Sequence, residues 1–147
     1  SSTKIRKALE IGDIDTANHF LGAPYPLSGR VIKGDKLGRV LGFATANIDL
    51  DSLDKLVPAD GIYAVTVRHE NTTFGGMLYI GNRPTVNGSK RSIEVNIFNF
   101  DKEIYGETIN LSFQKLLRSD SRFSDLESLK LQLEKDKVAA LLALQSI

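Results

Sequence analysis

From Leu27 to about Leu117 the chain is a succession of short runs rich in β-branched and aromatic residues, parted by turn residues. No helical stretch of about 10–15 residues separates these runs, so parallel βαβ units are not expected. Strands are predicted near Leu27–Lys33, Phe43–Asp49, Ile62–Arg68, Thr73–Ile80, Ser92–Phe100 and Ile109–Leu116. Asn71 lies in a short polar turn between the third and fourth, which predicts a hairpin. Asp101-Lys102 marks a turn after the fifth, and Gly106 a second break. Closing such a set of antiparallel strands on one core removes exposed edges, which favours a closed or nearly closed barrel.

The flanks read as helical. Ser1, Ser2 or Thr3 can cap a helix through Ile5, Ala8 and Leu9 that stops at Gly12, and Asp13 can cap a second one through Ala17 and Phe20 to Gly22. Pro24 and Pro26 then break the helical pattern, as a linker would. At the other end Ser124 and Glu127 have capping-box spacing. Leu126, Leu129, Leu133, Val138, Leu141 and Leu142 follow at helical spacing, so one face of this helix is expected to pack on the barrel. The expected division is a helical lead-in over residues 1–23 and a barrel domain over 24–147.

Composition narrows the function classes. With 147 residues the chain fits one domain, and 41% hydrophobic and 25% charged residues suit a soluble globular protein. No apolar run is long enough to span a bilayer and no secretory leader opens the sequence, so a cytoplasmic location and no membrane partner are expected. The absence of cysteine excludes disulfides, thiolate metal sites and cysteine nucleophiles. Lys and Arg total 19 against 18 acidic residues, a balance that argues against nucleic acid as the partner. His19 and His69 stand alone, without Asp or Glu at metal-ligand spacing, and both are expected to be exposed.

Three segments carry chemistry. In Gly34-Asp35-Lys36-Leu37-Gly38-Arg39-Val40-Leu41-Gly42, three glycines can present backbone amides to an anion, with Lys36 and Arg39 adding positive charge. Glycine spacing alone favours a plain hairpin loop, and no P-loop pattern occurs. Thr45 and Asn47, two apart in a strand, would put a hydroxyl and an amide oxygen side by side. Both are hard neutral ligands suited to Mg²⁺ carried in with ATP, although taken alone the pattern somewhat favours a plainer reading, with Thr45 pairing across strands and Asn47 ending one. Glu94 puts a carboxylate into the apolar run Ile93–Phe98, on the same face as Asn96 and Phe98. Held near a substrate it could serve as a general base; otherwise it is a rim residue paired with Lys90 or Arg91. Gly81-Asn82-Arg83-Pro84-Thr85 is expected as a structured loop between strands. Arg118 and Phe123 could contact an aromatic, oxygen-rich ligand, or serve as a surface charge and a packing anchor.

Gly38-Arg39-x-Leu41-Gly42-Phe43-Ala44-Thr45-Ala46-Asn47 resembles the riboflavin kinase signature G-R-x-L-G-[FY]-P-T-A-N. Ile93-Glu94-Val95 through Phe98-x-Phe100, with Tyr105-Gly106-Glu107, resembles a second region of that family. Leu117-Arg118, Arg122-Phe123 and Ser128-Leu129 resemble its approach to the C-terminal helix. The likeness runs from about Pro24 to the end. It implies a six-stranded antiparallel Greek-key barrel that phosphorylates the ribityl terminal hydroxyl of riboflavin with ATP and Mg²⁺, giving FMN and ADP. It also implies roles for individual residues. Glu94 would be the catalytic base, and Thr45 and Asn47 the metal ligands. Gly34, Lys36, Gly38, Arg39, Gly42, Thr45 and Asn47 would contact ATP, and Arg118 and Phe123 riboflavin. The segments around Gly34–Leu41 and Asn82–Arg91 would be flexible loops over the substrates.

Ser1-Ser2-Thr3-x-Ile5-Arg6 resembles the motif closing the adenylyltransferase domain of bacterial bifunctional FAD synthetases, where Ser2, Thr3 and Arg6 would help bind ATP phosphates. The lead-in would then be the end of a covalently linked adenylyltransferase module. The chain departs from the family at Ala44, where proline is usual, and at Asn96, where many members have histidine. The competing reading is a non-catalytic barrel that binds a flavin or nucleotide; an oligonucleotide-binding barrel would need aromatic stacking surfaces and a cationic groove, to which the near-even charge balance gives little support.

Overall fold

The structure, a computed structural model, describes residues 2–33, 41–50 and 55–145. Two short helices open it, α1 (Ser2–Glu10) and α2 (Ile14–Leu21). Asp13 caps α2 as expected, its Oδ1 accepting from the Thr16 amide at 3.1 Å, and Gly22 closes it in the left-handed conformation at φ +80°. Six strands follow: β1 (Tyr25–Ile32), β2 (Ala46–Leu50), β3 (Gly61–His69), β4 (Thr72–Thr85), β5 (Gly88–Ile97) and β6 (Thr108–Ser119). A long helix, α3 (Leu126–Gln145), ends the chain.

The strands close into an antiparallel barrel in the order β1-β2-β5-β4-β3-β6. Three consecutive strands, β3, β4 and β5, form a meander, and β6 returns to lie beside β3, which is the Greek-key arrangement. Alternation supplies the core. Leu27, Val31, Tyr63, Val65, Val67, Leu78, Ile80, Val95, Ile109, Leu111 and Phe113 are buried in one cluster, with Phe113 packed edge-on against Tyr63 at 5.2 Å. Ala8, Leu9, Ile14 and Ala17 belong to the same cluster, so the helical lead-in plugs the barrel. Asn18 fastens it further, donating to the Phe113 carbonyl and accepting from the Tyr25 amide. A second, outer cluster of Ala64, Met77, Phe98 and Ala140 lies under α3.

The strand bounds differ from expectation in informative ways. The connection after α2 is only residues 22–24, so Pro24 does stand where the helical pattern breaks, whereas Pro26 is already inside β1; it is tolerated where β1 has only β6 paired beside it. The stretch Gly81-Asn82-Arg83-Pro84-Thr85 is not a loop. It is the far end of β4, paired residue by residue with Gly88–Ser92 of β5 around the two-residue turn Val86-Asn87. Among 82–91, taken as a flexible loop on resemblance, the backbone is therefore a β-hairpin. β2 starts only at Ala46, leaving Phe43–Thr45 outside the ladder.

Two helical expectations also change. The cap of α3 is Asp125, whose Oδ1 accepts from the Ser128 amide at 2.7 Å, not Ser124; that contact holds the Asp125 carboxyl below its ordinary range. The barrel-facing side of α3 carries Leu133, Asp136, Ala140 and Leu144, whereas Leu126, Val138, Leu141 and Leu142 are exposed. His69 is buried rather than exposed, its Nε2 lying 2.7 Å from Oε1 of Glu107 and its ring edge-on to Phe100. Tertiary pairing brings that glutamate in from 38 residues away, which sequence spacing could not register. His19 is exposed as expected.

Gly29 of β1 faces inward where β1 and β2 run close together. A Cβ there would lie 2.6 Å from the Asp49 carbonyl oxygen of the paired strand, a backbone atom that cannot swing aside. Gly29→Ala is therefore expected to lower stability by about 1–3 kcal/mol. A urea titration checks this: the midpoint should fall with an unchanged m-value, and an unchanged midpoint would show that the strands can part freely.

Candidate active site

The register of the barrel lines up one row of residues across five strands. Asn47 of β2 pairs with Glu94 of β5, Glu94 with Tyr79 of β4, Tyr79 with Ile62 of β3, and Ile62 with Arg118 of β6. Residues in register share a face, and this is the outer one, because Ile93, Val95, Leu78 and Ile80 point into the core. Glu94 is thus half-buried on the outer wall of an apolar strand, with Asn96 and Phe98 on its face as the alternation predicts.

Above this row lies a cavity of about 630 Å³ between the barrel wall and the start of α3. Thr45, Tyr79, Glu94, Asn96 and Arg118 line it from the barrel, and Phe123, Leu129 and Leu133 from the loop and helix. Its volume falls in the range of small-molecule sites, with an apolar side and a few converging polar groups. Asn47 is buried at 8% exposure and lies opposite Glu94 in the ladder without lining the cavity. Gly42 turns the chain toward β2 with φ +88°, the left-handed conformation for which glycine is suited. Gly34, Lys36, Gly38 and Arg39 lie outside the described residues.

Thr45 is held from two sides. Ala46, next in sequence, is the first ladder residue of β2, paired with Val95. On its other side the Ala44 carbonyl accepts a hydrogen bond of 2.6 Å from the Asn96 side-chain amide. The two positions at which the chain departs from the riboflavin kinase pattern therefore touch each other. Ala44 lacks the ring that would fix φ, and the Asn96 bond tethers the same short segment from across the sheet.

The far side of the cavity is braced by ion pairing. Arg118 forms a bidentate pair with Asp136 of α3, Nε and Nη2 each 2.8 Å from a carboxylate oxygen. Its Nη1 donates to the Ser119 carbonyl and to Ser121 Oγ, and its guanidinium lies 5.6 Å from the centre of the Phe123 ring. Arg118 and Phe123, expected from sequence to contact one ligand, thus lie against each other. Tyr79 donates to Asp120 at 3.2 Å, and Gly81 leaves room for its ring, since a Cβ there would meet Tyr79 Cε2 at 2.8 Å. Burial, then the nearby Asp120 carboxylate, pushes the Tyr79 hydroxyl up to about 12, so it remains a neutral donor at physiological pH.

Sequence reasoning did not find Tyr79, Asp120 or Asp136. A signal for Asp136 was present, because a carboxylate falls at helical spacing with Leu129, Leu133 and Ala140. Tyr79 gave the weaker signal of an aromatic two residues before a glycine, which in a strand lie on one face.

A family model described as riboflavin kinase (flavokinase) matches residues 21–144. The bifunctional riboflavin kinase/FMN adenylyltransferase of Haemophilus influenzae is 44% identical over 137 residues, covering 92% of this chain and 44% of that protein. A solved chain from Streptococcus pneumoniae, described as a macrolide-efflux protein, is 36% identical with a TM-score of 0.89, covering 95% of this chain and 46% of its own. No helix among the described residues here is long and apolar enough to cross a membrane. The riboflavin kinase of Trypanosoma brucei, 24% identical with a TM-score of 0.58 over 83% of this chain and 80% of its own, shares the fold. This chain spans 44–45% of the length of the curated relatives named as bifunctional enzymes. A family match that takes in the whole barrel and nearly all of its terminal helix settles the kinship: the chain belongs to the riboflavin kinase family.

Proposed function

We propose that the protein transfers the γ-phosphate of ATP to the terminal ribityl hydroxyl of riboflavin, giving FMN and ADP. The observation that carries this reading is the register pairing of Asn47 with Glu94, beside a cavity that Thr45 and Glu94 both line. In the reaction the hydroxyl oxygen forms a bond to the γ-phosphorus while the bond to the ADP oxygen breaks. Glu94 accepts the hydroxyl proton, so the alcohol need not depart from neutrality before attack. The remaining requirement is alignment and neutralisation of phosphate charge, which a rigid wall with few polar groups can meet.

Thr45 Oγ1 and the Asn47 side-chain oxygen would hold Mg²⁺, their hard neutral oxygens suiting an ion that keeps most of its shell for water and phosphate. Bound with ATP, Mg²⁺ supplies charge neutralisation on the phosphates. Gly34, Lys36, Gly38, Arg39 and Gly42 belong to the ATP side of the same reading. The acceptor half is Arg118 and Phe123 with the leucines of α3, an apolar and aromatic wall suited to a flat tricyclic ring.

Residues 24–147 form the kinase domain in this proposal, and residues 1–23 continue from an adenylyltransferase module. The bifunctional names of the relatives and the exposed Ser2, Thr3 and Arg6 on α1 support that arrangement. FMN made here would be the substrate of that module. A cytoplasmic location belongs to the same proposal.

Incubation with riboflavin, ATP and Mg²⁺ should yield FMN by chromatography. Glu94→Gln should cut kcat by about 10²–10⁴-fold while riboflavin still binds. Folded wild-type protein that makes no FMN would instead favour a barrel that binds flavin or nucleotide without turnover. Thr45→Ala should raise the Mg²⁺ concentration needed for half-maximal rate, and an unchanged metal dependence would remove Thr45 from the metal site. Asn96→Ala, which frees Ala44, should raise the KM for MgATP and leave that for riboflavin unchanged; equal effects on both would show that the tether does not act through Thr45.

A further inference from the structure

Asp136 is 3% exposed, the most deeply buried of the charged side chains among the described residues. It sits mid-helix on α3, on the face that otherwise packs Leu133, Ala140 and Leu144 against the barrel. Nothing about helix packing asks for a carboxylate there. A buried ion pair commonly stabilises no better than apolar residues of the same size, because desolvation offsets the attraction. What a bidentate pair does supply is direction: the planar guanidinium is fixed in one orientation by two parallel bonds.

The direction is put to use. Gln132 also donates to Asp136 Oδ1, at 2.9 Å, so the carboxylate is itself held in place. Arg118, oriented by it, reaches Ser121 and the face of Phe123, both of which line the cavity. A chain of contacts thus runs from the helix interior to the aromatic group at the cavity wall, without Asp136 touching the cavity.

We propose that Asp136 is a positioning residue for the acceptor half of the pocket, acting through Arg118 on Phe123 and the loop over Ser119–Phe123. Its removal leaves the ATP side intact and loosens the wall that receives the flat ring. The inference rests on riboflavin being the acceptor.

The test measures riboflavin binding by quenching of its fluorescence in the presence of MgADP, together with steady-state kinetics. Asp136→Asn should weaken riboflavin binding and raise its KM roughly tenfold or more, with the KM for MgATP unchanged. A purely structural loss would lower the active fraction, and so kcat, at unaltered KM. In an Arg118→Met background, adding Asp136→Asn should change riboflavin affinity no further, since the path through Arg118 is already cut. If the single variant does not fold, Arg118→Met/Asp136→Leu removes both charges together and should fold while binding riboflavin weakly. Wild-type riboflavin affinity in folded Asp136→Asn or in that double variant would overturn the positioning role and leave the kinase reading standing. Wild-type protein that binds no riboflavin would overturn the kinase reading and this inference together.

Discussion

Two residue pairs, Ala46 with Val95 and Asn47 with Glu94, join β2 to β5 and so complete the barrel on that side. This short seam carries the geometry of the site. Because side chains alternate along a strand, a slip of one residue in β5 would turn Glu94 into the core and Ile93 or Val95 out to the cavity. The apolar residues on either side of Glu94 prevent this, since Ile93, Val95 and Ile97 are all buried in the core cluster. The hydrophobic alternation of β5 is thus what aims the carboxylate outward, and the row from Asn47 to Arg118 follows from that register.

The outer wall would be exposed if the barrel stood alone. Helix α3 covers it, burying Ala64, Met77, Phe98 and Ala140 in a cluster separate from the barrel interior. The cavity lies beside that cluster, with Met77 and Leu133 of the packed region on its lining next to the row of polar groups. Its two ends are kept in place by different means. On the β2 side a hydrogen bond from Asn96 tethers the segment before the strand. On the α3 side a buried ion pair ties the helix to β6. Packing rigidifies the floor, and polar contacts position the rim.

The local features were legible in the sequence because local physics determines them. β-Branched runs gave all six strands, Asp13 and Gly22 gave the bounds of α2, and the alternation around Glu94 gave its face. Residue type and strand spacing drew attention to Thr45, Asn47 and Glu94, and resemblance to a family motif gave them roles; in the fold Asn47 pairs with Glu94, and Thr45 lines the same cavity as Glu94. The errors were of two kinds. Gly81–Thr85 contains glycine and proline and so reads as a turn, but pairing with Gly88–Ser92 overrides that local preference. Helix α3 has apolar residues on more than one side, so spacing alone could not say whether Leu133 or Leu142 faces the barrel. The contacts of Asp136 and His69 were out of reach because their partners lie 18 and 38 residues away.

The central claim is that the Glu94 carboxylate stands at the reacting oxygen, brought there by its register with Asn47. A crystal structure with ADP, Mg²⁺ and FMN bound measures this directly. The account predicts a Glu94 carboxylate oxygen within hydrogen-bond reach, about 3 Å, of the ester oxygen joining ribityl chain to phosphate. An FMN phosphate lying on another face of the barrel, with Glu94 too far to meet that oxygen even through one water, would contradict it.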